Sequence, residues 1–231
     1  MARGTTLNEL RDMLRAEIGA SSNVAMGVNT TNQYDQILRR VQDRLWAEHN
    51  WDFGYIKRDE ELIAGERYYA FDNDIDFDRI VSAYVKWDEK WQPVNYGIST
   101  AEYNANDSDI GEVNDPVVRW RHHEDNQFEV WPVPASNGSV LRFEAIKKLP
   151  ALISPSDTAV LDDNLIVLFA AAELLTRSKA ADAGSKLAQA TTLLNRLKGN
   201  ALKGDRFIYG GAISRGDRLR YIGGRAVRDD R

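Results

Sequence analysis

The chain has 231 residues, 43% of them apolar and 28% charged, proportions that suit one large globular domain or a domain carrying an insertion. Its net charge of −5 argues against a general nucleic-acid binder, and the absence of cysteine excludes disulfides, thiolate metal sites and a cysteine nucleophile. The charge is uneven: from Lys203 onward eight basic residues stand against four acidic ones, so the tail carries +4 and the preceding residues about −9.

In chain order, no apolar run follows Arg3, so no signal peptide is expected and synthesis in the cytosol is. Thr6-x-x-Glu9 is a capping-box spacing, and Leu7, Leu10, Leu14 and Ile18 follow at helical intervals up to Gly19. After a small, polar connector over residues 20–29, Thr30-x-x-Gln33 is expected to cap a longer helix. That helix has Tyr34, Ile37, Leu38, Val41, Leu45 and His49 on one face. His49 has no second histidine at ligand spacing, so it is expected at a packed core edge. Trp46, Trp51 and Phe53 gather where this helix ends, and large aromatics there can close the end of a bundle.

The period then changes from helical to alternating. Strands are expected at residues 55–63, 68–71, 80–87, 91–94, 117–121, 128–133 and 140–146. Asp88-Glu89-Lys90 and residues 122–127 read as hairpin loops, and Asn137-Gly138 as a tight turn. Residues 99–104 can form a helical turn, and residues 106–115 a polar, acidic loop.

Past this block comes Asp162-Asp163-Asn164, then Leu165-Ile166-Val167-Leu168-Phe169-Ala170-Ala171-Ala172. The aspartates can cap the first turn, because a carboxylate accepts from an unpaired amide and suits the positive helix end. A helix apolar on every face is expected to be buried on every face, and this run is too short for a bilayer, which needs ~20 apolar residues. Glu173 reads as a solvated edge of that helix, with pairing to a basic group on another element as the alternative. Residues 182–185 read as a turn, after which Leu187, Ala190, Leu194, Leu197 and Ala201 mark a one-faced helix.

The expected fold is therefore α+β: a four-helix bundle from residues 1–54 and 151–203, an antiparallel β-rich insertion at 55–150, and an extended C-terminal arm at 204–231. Six glycines from Gly204 onward forbid a helix in the arm, yet Phe207-Ile208-Tyr209 and Leu219-Arg220-Tyr221-Ile222 are apolar clusters that a merely solvating tail does not need. The expected docking residues are Phe207, Tyr209, Leu219, Tyr221 and Ile222 as anchors, with Arg215, Arg218, Arg220, Arg225 and Arg228 for acidic rims.

Candidate chemistry is sparse. Phosphate-loop, nucleophile-elbow and dinucleotide patterns are missing, and no enzyme, cofactor or metal is expected. His122-His123 are adjacent and need not converge. The aspartates of residues 72–78 suggest a calcium loop, but Phe77 and Ala83 occupy the places where an EF-hand needs glycine and glutamate. Trp87, Trp91, Trp120 and Trp131 allow a carbohydrate-binding platform, the main alternative function. Filling a small core is the other use of such tryptophans, with Trp120 and Trp131 packed against Val118 and Phe143. A third reading has the basic tail bind nucleic acid, although aspartates interrupt it.

One succession of motifs carries a resemblance. Asn114-Asp115-Pro116-Val117-Val118-Arg119-Trp120 is followed by Phe128-Glu129-Val130-Trp131-Pro132-Val133-Pro134, and then by Leu141-Arg142-Phe143-Glu144-Ala145. Leu161-Asp162-Asp163 next leads into the alanine- and leucine-rich helix. In this order of elements the chain resembles the adaptor proteins of tailed bacteriophages, head–tail connectors that include the podovirus tail tubular protein A group. The resemblance implies a virion protein without catalytic role, forming a ring, commonly of twelve copies, beneath the capsid portal. It further implies contacts with the portal protein, neighbouring copies and a downstream tail protein, and a channel through which DNA passes without sequence-specific binding.

Overall fold

The computed structural model describes residues 3–20, 28–106, 110–201, 219–222 and 225–228. Helix α1 (Leu7–Glu17) begins at Thr6, whose hydroxyl accepts from the Glu9 amide while the Glu9 carboxylate accepts from the Thr6 amide. Leu7, Leu10 and Leu14 are wholly buried, as their spacing requires. Helix α2 (Val28–Glu48) starts upstream of Thr30, so Thr30 lies inside the helix and does not cap it. A threonine–glutamine spacing cannot stop a helix from extending N-terminally, and here the chain is already helical at Val28. Tyr34, Ile37, Leu38, Val41 and Leu45 form its buried stripe.

At the exit of α2 the Trp51 indole donates to the Leu45 carbonyl at 3.1 Å, and Phe53 lies 5.9 Å from the rings of both Trp46 and Trp51. His49 packs edge-on to Trp51 at 5.0 Å, the expected core edge. A 3-10 turn (Asp52–Gly54) then leads into the sheet.

Seven strands follow: β1 (Tyr55–Glu61), β2 (Tyr68–Ala70), β3 (Ile75–Trp87), β4 (Lys90–Tyr96), β5 (Arg119–His122), β6 (Gln127–Trp131) and β7 (Val140–Lys147). They form one curled sheet in the order β1-β7-β3-β4-β5-β6-β2. Asp88 and Glu89 adopt positive φ in the two-residue turn between β3 and β4. The sheet is not purely antiparallel, because β4 and β5 pair in parallel through Asn95↔Arg119 and Tyr96↔Trp120. Parallel neighbours need a crossover, and here it contains the short helix α3 (Thr100–Ala105), which Ser99 and Glu102 start with a second capping box.

Strand β3 begins five residues before the expected position. Ile75 is buried and Phe77 packs on the core, while Asp74, Asp76 and Asp78 alternate with them. Asp76 and Asp78 thus belong to the strand, while Asp72 and Asp74 lie just before it and pair with Arg58. Among the described residues no group of acidic or histidine side chains is arranged to hold a metal ion.

The chain then returns to helix in α4 (Asp163–Arg177), capped by Asp162, whose carboxylate accepts from the Leu165 amide at 3.1 Å. Helices α1, α2 and α4 pack on one another, and α5 (Ala183–Ala201) packs along α4. Residues 183–185, expected in a turn, are therefore the first residues of α5. Leu165, Ile166, Val167, Ala170, Ala171 and Ala172 are buried, but exposure returns over the last turn. On α5, Ala190, Leu194 and Leu197 face the core while Leu187 is half exposed. The described residues thus form a mixed α+β fold of five helices and a curled seven-stranded sheet, with a further pair of strands beyond α5. Most of their buried apolar side chains fall in two clusters, one mostly helical that includes Ile146 and one within the curl of the sheet.

Beyond α5, β8 (Leu219–Ile222) and β9 (Arg225–Arg228) pair antiparallel, Leu219↔Arg228 through Ile222↔Arg225. They form a separate two-stranded sheet.

Candidate docking surfaces

Of the four tryptophans that could form a platform, Trp120 and Trp131 are buried, at 5% and 2% exposure, and Trp87 is partly buried. Trp120 and Trp131 do not share a core. Trp120 lies inside the curl with Phe143, ring centroids 5.0 Å apart. Trp131 sits on the opposite face of β6, edge-on to Tyr103 at 4.7 Å, and its indole donates to the Glu102 carbonyl at 2.9 Å. Val118, expected beside them, is half exposed, and Val117 is buried in its place. Val118 precedes β5, so strand alternation does not govern it. Trp91 is partly exposed, but Arg142 lies over its ring at 4.2 Å.

The face carrying Trp131 holds a charged cluster that the motif search did not single out. Glu129, between Phe128 and Val130 on β6, is wholly buried. Its carboxylate accepts from Arg67 Nε at 2.7 Å, Tyr103 Oη at 2.8 Å and Arg121 Nε at 2.7 Å. Burial pushes this carboxyl up, but the bonds from Arg67, Tyr103 and Arg121 together outweigh it and hold it below the usual carboxylate range. Arg67 also lies over the rings of Tyr103 and Trp131, at 5.2 and 4.9 Å. Beside it Arg119 pairs with Glu102 at 2.5 Å. The cluster pins the α3 crossover to the sheet. A glutamate inside an apolar strand, opposite arginines on the preceding strand, was its signal.

The helical core has its own polar fixtures. Asp163 is buried at the start of α4 and accepts from Thr5 at 2.5 Å; burial raises its carboxyl above the usual value, and the Thr5 bonds partly oppose this. Arg11 and Asp35 make a two-point pair between α1 and α2, at 2.9 and 3.0 Å. Glu173 is paired with Arg40 of α2 and with Arg177, so the basic partner on another element exists, and the carboxylate remains partly wet.

The two adjacent histidines do not converge. His122 Nε2 lies 3.0 Å from the Phe77 carbonyl, whereas His123 stacks on Tyr68 at 4.2 Å. His122 instead helps line a cleft of about 560 Å³ where β4 separates from β3.

Of the expected arm residues, Phe207, Tyr209, Arg215 and Arg218 lie outside the described residues. Leu219, Arg220, Tyr221 and Ile222 make up β8, and Arg225 and Arg228 are the first and last residues of β9.

A family model, that of the SU10 adaptor protein, matches residues 5–216. The chain belongs to this family of phage head–tail adaptor proteins, structural components of the virion. No curated protein matches it.

Proposed function

We propose that this chain is the subunit of an adaptor ring that joins the capsid portal to the tail and continues the DNA channel, in the manner of the tail tubular protein A group. The family match over residues 5–216 carries this reading. The subunit has three functional parts: a four-helix bundle (1–54 and 151–203), an inserted β-rich domain (55–150) and a C-terminal docking arm (204–231). It is made in the host bacterial cytoplasm and assembles as a ring, by family resemblance twelvefold. Its partners are the portal protein, neighbouring copies and a downstream tail protein. Heterologous contacts that close on themselves give such a ring, and the opposite charges of body and arm favour head-to-tail association. Acidic groups along the channel would repel DNA phosphate and let the duplex slide without sequence-specific binding.

The docking residues are Phe207, Tyr209, Leu219, Tyr221 and Ile222 with Arg215, Arg218, Arg220, Arg225 and Arg228. Aromatic anchors of this kind cost on the order of 2 kcal/mol each when truncated, and rim arginines less. Truncation after Gly204 tests the reading. The remaining chain should fold, since both buried clusters lie before that point. Its attachment to filled or empty heads should fail, and unchanged occupancy on capsids would move docking onto the folded body.

A further inference from the structure

The sheet splits in a way that leaves backbone edges open. Strands β3 and β4 pair from Trp87↔Lys90 to Ala83↔Val94 and then part. Asn95 and Gly97 donate instead to Val118 and Trp120, at 3.1 and 2.8 Å. Successive strand residues direct their amide and carbonyl groups to opposite sides, so those of Tyr96 point back towards β3. Across the gap, β3 pairs only with β7, at Asp76↔Ile146, Ile80↔Ala145 and Ser82↔Glu144. Its other edge over residues 77–82 has no strand partner among the described residues, and of its backbone groups the Phe77 carbonyl already faces His122 Nε2 at 3.0 Å.

The gap is the 560 Å³ cleft, and its walls mix aromatic and aliphatic side chains with Asp78, Ser82, Asn95 and His122. Tyr96 is 64% exposed with its ring 4.9 Å from Trp120, and Val81 is 53% exposed. The mouth is acidic. Asp78, which lines it, has no salt bridge among the described residues, while the neighbouring Arg79 turns away to the Trp46 and His49 carbonyls at the end of α2. An open strand edge beside aromatic walls is the geometry that accepts an added strand.

The β8–β9 hairpin has the complementary character. A two-stranded ribbon is marginal in water and gains stability from a third strand. Residues 219–228 carry Arg220, Arg225 and Arg228 and no acid. A four-residue strand spans ~13 Å, which the open edge of β3 accommodates. We propose that the β8–β9 hairpin of one copy adds as a strand to the β3 edge in the cleft of its neighbour, its arginines meeting Asp78 at the cleft mouth. This rests on the arm reading above and names the arm's receptor.

The absence of cysteine allows a direct test by disulfide trapping. Phage is grown in cells supplying two single-cysteine forms together: Val81→Cys, and either Arg220→Cys or Tyr221→Cys, because successive strand residues face opposite sides. Ile153→Cys, exposed on the loop before α4, replaces Val81→Cys in the control. Virions oxidised mildly should yield a disulfide-linked dimer of the two forms severalfold above the control for one of the two arm positions. Yields equal to the control at both positions would overturn the proposal. So would a disulfide formed only within a chain carrying both cysteines, which would seat the hairpin in its own cleft. Removal of residues 219–231 separates the two readings. Virions that assemble normally without them sink the arm reading itself, whereas arm-dependent assembly without the Val81 crosslink sinks the cleft alone.

Discussion

Replacing Glu129 by alanine should reveal how the α3 crossover is held. The substitution removes the buried carboxylate that Arg67, Arg121 and the Tyr103 hydroxyl all donate to. Removing one partner of a buried ion pair costs ~3–5 kcal/mol. The Arg67 and Arg121 side chains are 26% and 42% exposed and can recover some hydration, so the lower end applies, about 3 kcal/mol. For a chain of this length that corresponds to a fall of roughly 6–12 °C in Tm, readable by calorimetry. Glu129→Gln keeps the shape and one acceptor, so its loss should be smaller and its pH dependence informative. The native carboxyl is held below its ordinary value, so its stabilisation is present above the unfolded pKa of ~4.3 and is lost as pH falls through the lower folded value. The wild-type and Glu129→Gln melting temperatures should therefore converge on acidification. A Glu129→Ala protein within about 0.5 kcal/mol of the wild type, the range of neutral surface changes, would refute the cluster's structural role.

Three other outcomes follow from local geometry. A methyl group at Gly54 would come within 2.9 Å of the buried Trp46 ring, so Gly54→Ala should cost about 1–3 kcal/mol by denaturant titration although its backbone conformation tolerates alanine. Thr6→Ala removes the hydroxyl half of the α1 capping box, while the residue-6 amide can still donate to Glu9, and should cost about 1 kcal/mol in the same titration. Asp163, whose carboxyl burial raises, loses native stability as pH rises from the ordinary aspartate value of ~3.9 through the higher folded one. Asp163→Asn should lack that loss, so its urea midpoint should gain on the wild type over the same rise, and parallel midpoints would contradict the assignment.

Local patterns determined much of this protein. The capping box at Thr6, the helical turn at residues 99–104, the leucine spacing of α1, the apolar run of α4 and all seven strands of the main sheet were legible, because each is set by neighbours a few residues apart. The order of motifs from Asn114 to the α4 helix also pointed to the adaptor family that residues 5–216 match. Elsewhere local signals misplaced boundaries or faces. The aspartates of residues 72–78 hid the start of β3, Thr30 was absorbed into α2, and Val118 yielded its buried place to Val117. What only the tertiary structure decided was which distant groups meet. Trp120 and Trp131 look equivalent in the sequence, yet their register on β5 and β6 sends them to opposite faces. Glu129 and Glu173 are both isolated carboxylates in apolar runs, and their arginine partners come from other elements. The parting of β3 and β4, and the cleft it opens, depends on β4 finding β5 as a parallel neighbour across the α3 crossover. Such pairings depend on long-range chain closure and on burying both faces of a curled sheet, and no short window of sequence contains either.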